Sequence, residues 1–247
     1  MKNYVHFIAL SLLITQVSCA QKIKALAKDL PISLPTTPVA KPQLTNEEVV
    51  AGLKEALQLG IEKAVNKSCV LDGFLGNPQI RLPFPPDAIQ VKEKALQLGM
   101  NTQVDKFETT LNRAAEEAVK EALPIFKDAI LQLSVQDGFK ILNGGQGAAT
   151  AYLKQQTQNA LYNAFLPKVK AATANVGLTA YWNPIITKYN AAVKLTGGQQ
   201  LNPDLDAYIT QRAIEGLFIL VSKEEDQIRA NPAARVSDLL AKVFGSI

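Results

Sequence analysis

From Thr45 to Phe244, apolar residues return every three or four positions almost without pause. That spacing places them on one face of an α-helix. No stretch of the same region keeps a period of two for long. The chain therefore reads as all-α: a single multi-helix domain of about eight helices with one short extended segment. Thr45 and Glu48 form a T-x-x-E capping box at the first helix. Val49, Leu53, Ala56, Leu57, Ile61, Ala64 and Val65 follow at helical spacing.

Residues 68–87 break the pattern with two glycines and four prolines. Ile80 and Leu82 alternate there around Arg81, as in an extended segment. A second amphipathic run ends at Gly99, a C-cap candidate. The long helix after Asn101 should kink or break at Pro124, which lacks an N–H and crowds the preceding turn. Ser134 with Asp137 marks a new start, and Gly144-Gly145 its end. Helical patterns follow over 150–170 and 182–193. For the last long helix, Asn202 is the expected N-cap and Pro203 the first helical residue. Its middle, 216–221, is apolar all round, as in a helix buried on every side. Residues 236–244 form a short amphipathic tail.

The N-terminus carries a different message. Lys2, an apolar run over 5–14 and small residues at Ser18 and Ala20 have the layout of a secretory signal peptide. The apolar run is shorter than the roughly 20 residues a membrane span needs. Two cleavages compete. One lies before Gln21, after the small-x-small triplet Ser18-Cys19-Ala20. The other lies before Cys19, because Val17-Ser18-Cys19 resembles a bacterial lipobox, with Gln16 where that motif normally has Leu. The second would make Cys19 the lipidated N-terminus. The expected organisation is thus a signal over 1–20, an extended Pro/Lys-rich linker over 21–44 and a helical domain over 45–247. The expected location is the bacterial envelope, periplasmic or as an outer-membrane lipoprotein.

Composition closes several routes. Twenty-six basic and 22 acidic residues leave a net charge of +4, too little for a nucleic-acid surface. The single histidine, His6, lies within the signal. A mature chain without histidine has no Ser-His-Asp or Cys-His nucleophile and no Glu-x-x-His di-iron bundle. Cys69 alone makes no intramolecular disulfide and no structural zinc site; it reads as a small buried hydrophobe. No cofactor or metal is expected. Residues 144–150, GGQGAAT, lack the Gly-Lys-Ser/Thr ending of a phosphate loop and read as a turn between helices. Asn202, Asp204 and Asp206 mimic the start of a calcium loop, but Ala207 and Ala213 occupy its glycine and glutamate positions.

Six residues form the candidate polar interhelical site: Asn112, Arg113, Glu116, Glu224, Glu225 and Arg229. Glu224 shares a stripe with Leu217, Leu220 and Ile228, so it faces inward. Glu225 lies beside Val221 and pairs with Arg229 at i, i+4. An inward carboxylate needs a partner, and Arg113, Arg229 and Arg235 are the candidates. Asn112, Arg113 and Glu116 lie within little more than one turn. A structural ion pair and a catalytic carboxylate are both open readings of these residues.

Several strings occur together in order: GLKEAL (52–57), DGFLGNPQIRLP (72–83), NRAAEEA (112–118), AAT with Tyr152 (148–152), GLF (216–218) and EE-x-x-IR-x-NPAAR (224–235). In order and spacing the chain resembles the bacterial family known as domain of unknown function 4197, over about residues 48–244. The resemblance implies an exported, mostly helical protein and carries no activity or ligand. The leading expectation is a non-catalytic envelope protein that binds a ligand or protein partner. A carboxylate-based hydrolase using Glu224 or Glu116 with Arg113 is the alternative. An apolar-ligand carrier, which would need a dry cavity between helices, is the third.

Overall fold

The structure, a computed structural model, describes residues 44–245 apart from 176–177, 199, 203, 232–233 and 236. The signal, Cys19, most of the linker and Pro203 lie outside the described residues. Within them the chain forms nine α-helices: α1 Asn46–Ser68, α2 Ile89–Gln97, α3 Asn101–Val119, α4 Ala122–Leu131, α5 Val135–Asn143, α6 Ala148–Asn175, α7 Leu178–Thr196, α8 Leu205–Ala230 and α9 Asp238–Gly245. A 3-10 turn, Pro86–Ala88, precedes α2. No strand occurs among the described residues, so the fold is all-α as the periodicity requires. No described helix is long and apolar enough to cross a membrane.

Helix ends follow local chemistry. The Thr45–Glu48 capping box forms in both directions. Ser134 Oγ accepts from Asp137 N–H and caps α5. Gly99 takes φ +77° after α2, a conformation that costs glycine nothing. The break at Pro124 falls a little earlier than the proline itself. Pro124 sits in the first turn of α4, where its missing N–H is not needed. Its ring excludes a helical bond to the Lys120 carbonyl, and the chain tightens to i→i+3 bonds at Lys120 and Glu121. Pro167, inside α6, leaves the helix unbroken. It is exposed, and so is Asn163, whose carbonyl loses its helical donor to the proline ring.

One cap differs from expectation. Asp204, not Asn202, caps α8, accepting from Ala207 N–H at 2.9 Å. Asn202 Oδ1 accepts from Asp204 N–H instead, forming an Asx turn that leads into the cap. The middle of α8 is likewise not buried all round: Ile219 is 41% exposed, while Gly216, Leu217, Phe218, Leu220 and Val221 are buried.

Helix α8 is the central post, packed against α1, α3 and α6. Helices α4, α5 and α9 lean on α1, and α7 leans on α6. Leu53, Phe74, Leu111, Phe126, Leu153, Phe165 and Leu217 form the heart of one continuous core. Phe126 and Phe218 meet edge to face at 5.7 Å between centroids. Close approach is set by glycine at two places. At Gly216 a Cβ would lie 2.8 Å from Phe74 Cε1, so the loop 69–85 rests directly on α8. At Gly52 it would lie 2.8 Å from Val243 Cγ2, where α9 docks on α1.

Candidate functional site

The six polar residues singled out by sequence are positioned on α3 and α8, and four of them are buried: Asn112, Glu116, Glu224 and Glu225. They do not form one interhelical site. They divide into three separate clusters, each joining a helix to a different part of the chain.

The first cluster holds the loop 69–85 against α3. Asn112 is fully buried. Its Oδ1 accepts from Leu82 N–H at 2.8 Å, and its Nδ2 donates to the Leu82 carbonyl at 3.0 Å and the Glu108 carbonyl at 2.8 Å. A side-chain amide thus does for Leu82 what a neighbouring strand would do. Ile80 and Leu82 point inward and Arg81 outward, as the alternation predicts. Glu116 Oε1 accepts from the N–H groups of Phe74 and Leu75 at 3.0 and 3.3 Å. Arg113 donates to Glu116 Oε2 at 2.6 Å and to Asp72 Oδ1 at 2.7 Å. Glu116, and to a lesser degree Asp72, hold this guanidinium above its ordinary pKa against the opposing effect of burial. Glu108 adds ion pairs to Arg81 and Lys92, and Lys92 lies 5.9 Å from the centroid of the Phe84 ring.

The second cluster closes the start of α6. Gly145 and Gly147 take φ +73° and +79°, so 144–147 is the helix-to-helix turn expected of it. With Gly147 in front of α6, no local side chain caps that helix. The Glu225 carboxylate supplies the cap from α8. It accepts from Ala149 N–H (3.1 Å), Thr150 N–H (2.9 Å) and Thr150 Oγ1 (2.7 Å). A helix N-terminus attracts an anion, and here the anion is the protein's own. Arg229 Nε donates to Glu225 Oε1 at 2.9 Å, completing the expected i, i+4 pair, and its Nη2 reaches the Ile141 carbonyl on α5.

The third cluster corrects an expectation. The partner of Glu224 is Lys67 of α1, not an arginine. Arg113 is engaged by Glu116 and Asp72, Arg229 by Glu225, and Arg235 donates to the Ile228 and Arg229 carbonyls at the end of α8. Glu224 does face inward, beside Gly60 of α1. The stem of a lysine in the last turn of α1, between buried Val65 and Ser68, reaches it while the Lys67 side chain stays 61% exposed.

Two concavities are notable. Beside Glu225 lies an apolar void of about 30 Å³, bounded by Leu53, Leu57, Leu153, Val221 and Phe244. It has room for about one water and none for an acyl chain. A larger cleft, about 300 Å³, lies between Pro85-Pro86 and the start of α8. Trp182, Leu201, Leu205 and Tyr208 give it an apolar lining; Asn202, Asp204, Gln211 and Arg212 give it polar groups. Behind it, Phe84, Phe107 and Trp182 pack with centroids 4.5–5.9 Å apart. Burial pushes the Tyr208 phenol up, which keeps it a donor, and it bonds the Pro83 carbonyl at 3.1 Å. Of its lining, the sequence singled out only Asn202 and Asp204, as a helix start and a calcium-loop mimic; Pro85-Pro86 and the start of α8 lie more than 100 residues apart.

Fold and site together define an all-α domain whose buried carboxylates fasten loops and helix ends around a central helix, with an aromatic cleft at one end of that helix. The family described as "Protein of unknown function (DUF4197)" matches residues 43–245, and the chain belongs to it. No curated protein and no solved structure matches the chain.

Proposed function

We propose that this protein is a non-catalytic binding component of the bacterial cell envelope, whose ligand sits in the cleft between Pro85-Pro86 and the start of α8. One observation carries this reading: the carboxylates a hydrolase would use are already committed, while the larger of the two concavities is built from other residues. Glu116 and Glu225 each accept from two backbone N–H groups and an arginine. Glu224 is ion-paired with Lys67, and Arg113 serves Glu116 and Asp72. Carboxylates so engaged are placed to hold the fold, and none of the three lines this cleft. The cleft, by contrast, combines apolar walls with a few convergent polar groups, the usual make-up of a small-molecule site.

Trp182 is the chain's one tryptophan and lines the cleft, so its emission reports occupancy. Titration with a panel of amino acids, short peptides, saccharides and nucleotides is expected to give a saturable change for at least one class. Ala207→Phe, which fills the cleft, is expected to abolish it. A silent panel overturns the reading, as does ester, phosphate or glycoside hydrolysis that Glu116→Gln removes.

The envelope assignment rests on the signal-like N-terminus, and the preferred tether is lipidated Cys19. Cys19→Ser is expected to move the protein from the membrane fraction to the soluble fraction. A mature N-terminus at Gln21 would discard the tether and retain export.

A further inference from the structure

The charges of the cleft suggest which ligand it takes, an inference that rests on the binding reading above. Asp204, the cap of α8, and Arg212, eight residues further on, both line the cleft. At 1.5 Å per residue their backbones lie about 12 Å apart along the helix axis. Asp204 uses Oδ1 to cap α8; among the described residues its Oδ2 has no partner. Arg212 spends Nη1 on Glu215 at 2.7 Å, which leaves Nη2 and Nε unpartnered among the described residues. One end of the cleft therefore offers a negative oxygen and the other a guanidinium edge. Between them lie Tyr208 and Ala207, with Trp182, Leu201, Leu205, Pro85 and Pro86 around them.

We propose that the cleft takes a short zwitterionic peptide, with its carboxylate on Arg212 and its ammonium on Asp204. A cleft of about 300 Å³ is at the small end of ligand sites and suits a molecule of this size. Small apolar side chains suit the proline and leucine walls. A guanidinium edge recognises a carboxylate through paired N–H donors. The ammonium approaches a helix N-terminus, which by itself repels cations, but the full charge of Asp204 outweighs the partial charge of the helix end.

The probe is trialanine, read by Trp182 emission and by calorimetry. Free trialanine is expected to bind, and its N-acetylated, C-amidated form to bind at least tenfold more weakly. Asp204→Asn retains a good helix cap while removing the charge, and Arg212→Gln alters only an exposed ion pair. Each is expected to weaken free trialanine tenfold or more. The couplings are specific: Asp204→Asn should have no further effect on N-acetylated trialanine, nor Arg212→Gln on trialanine amide. Equal binding of the free and doubly capped peptides would overturn the proposal, since the cleft would then read internal peptide segments and not chain ends. Silence of trialanine, with a saccharide or nucleotide still shifting Trp182 emission, would overturn the peptide assignment and leave the binding reading standing. Silence of the whole panel would remove both.

Discussion

Replacing Glu225 by alanine is expected to lower the unfolding free energy by about 3–5 kcal/mol, the cost of removing one member of a buried ion pair. The residue is 9% exposed. Its loss frees two N–H groups at the start of α6 and the Thr150 hydroxyl, and it strands Arg229, whose side chain is 17% exposed. Arg229→Ala should cost less, because Glu225 keeps three of its four bonds. The double variant Glu225→Ala/Arg229→Met should be more stable than Glu225→Ala alone, since the stranded cation goes with its partner. Urea denaturation with an unchanged slope is the measurement. A loss under about 1 kcal/mol for Glu225→Ala would mean that water replaces the carboxylate at the helix end, and the trans-cap would then be dispensable.

Local signals in this chain were legible where the deciding atoms are neighbours in sequence. The Thr45–Glu48 box, the Ser134 cap, the Gly99 terminus and the break before Pro124 each depend on residues within about four positions. The misplaced cap of α8 shows the limit of that reading. Asn202 and Asp204 are both good caps, and only the Asx turn formed by Asn202 decides that Asp204 takes the role. Inward faces were also readable: the stripe containing Leu217, Leu220 and Ile228 places Glu224 inside, and it is 7% exposed.

Partners were not readable, because the fold chooses them across long separations. Glu224 finds Lys67 at 157 positions and Glu225 finds Thr150 at 75. Each candidate arginine has a carboxylate or carbonyl of its own, and a lysine stem covers apolar surface while its head remains in water. One clue for Glu225 was present. A glycine immediately before a helix leaves its first N–H groups uncapped, which calls for an acceptor from elsewhere in the chain. The cleft residues carried no such clue. Trp182, Tyr208 and the prolines look like ordinary core and loop residues until α7, α8 and the loop are brought together.

The loop 69–85 gives the second large effect. Asn112→Ala is expected to cost about 2–5 kcal/mol, since Leu82 is 1% exposed and would lose the partners of both its N–H and its carbonyl, each worth about 1–3 kcal/mol when left unsatisfied. Asn112→Asp should be no milder. It keeps an acceptor for Leu82 N–H but cannot donate to the carbonyls of Leu82 and Glu108, and it places a charge in a buried position. Nearly isosteric as it is, this variant separates hydrogen bonding from packing. The damage should begin in the loop. Phe74, which fills the space above Gly216, should become accessible before α8 itself unfolds, so protease cleavage within 69–85 should accelerate ahead of any loss of helical signal. The Leu82 amide should lose its protection from hydrogen exchange. Retained protection at Leu82 in Asn112→Ala, which removes the acceptor altogether, would show that the loop is held by the Phe74 and Glu116 contacts alone, and that the amide clamp on α3 contributes little.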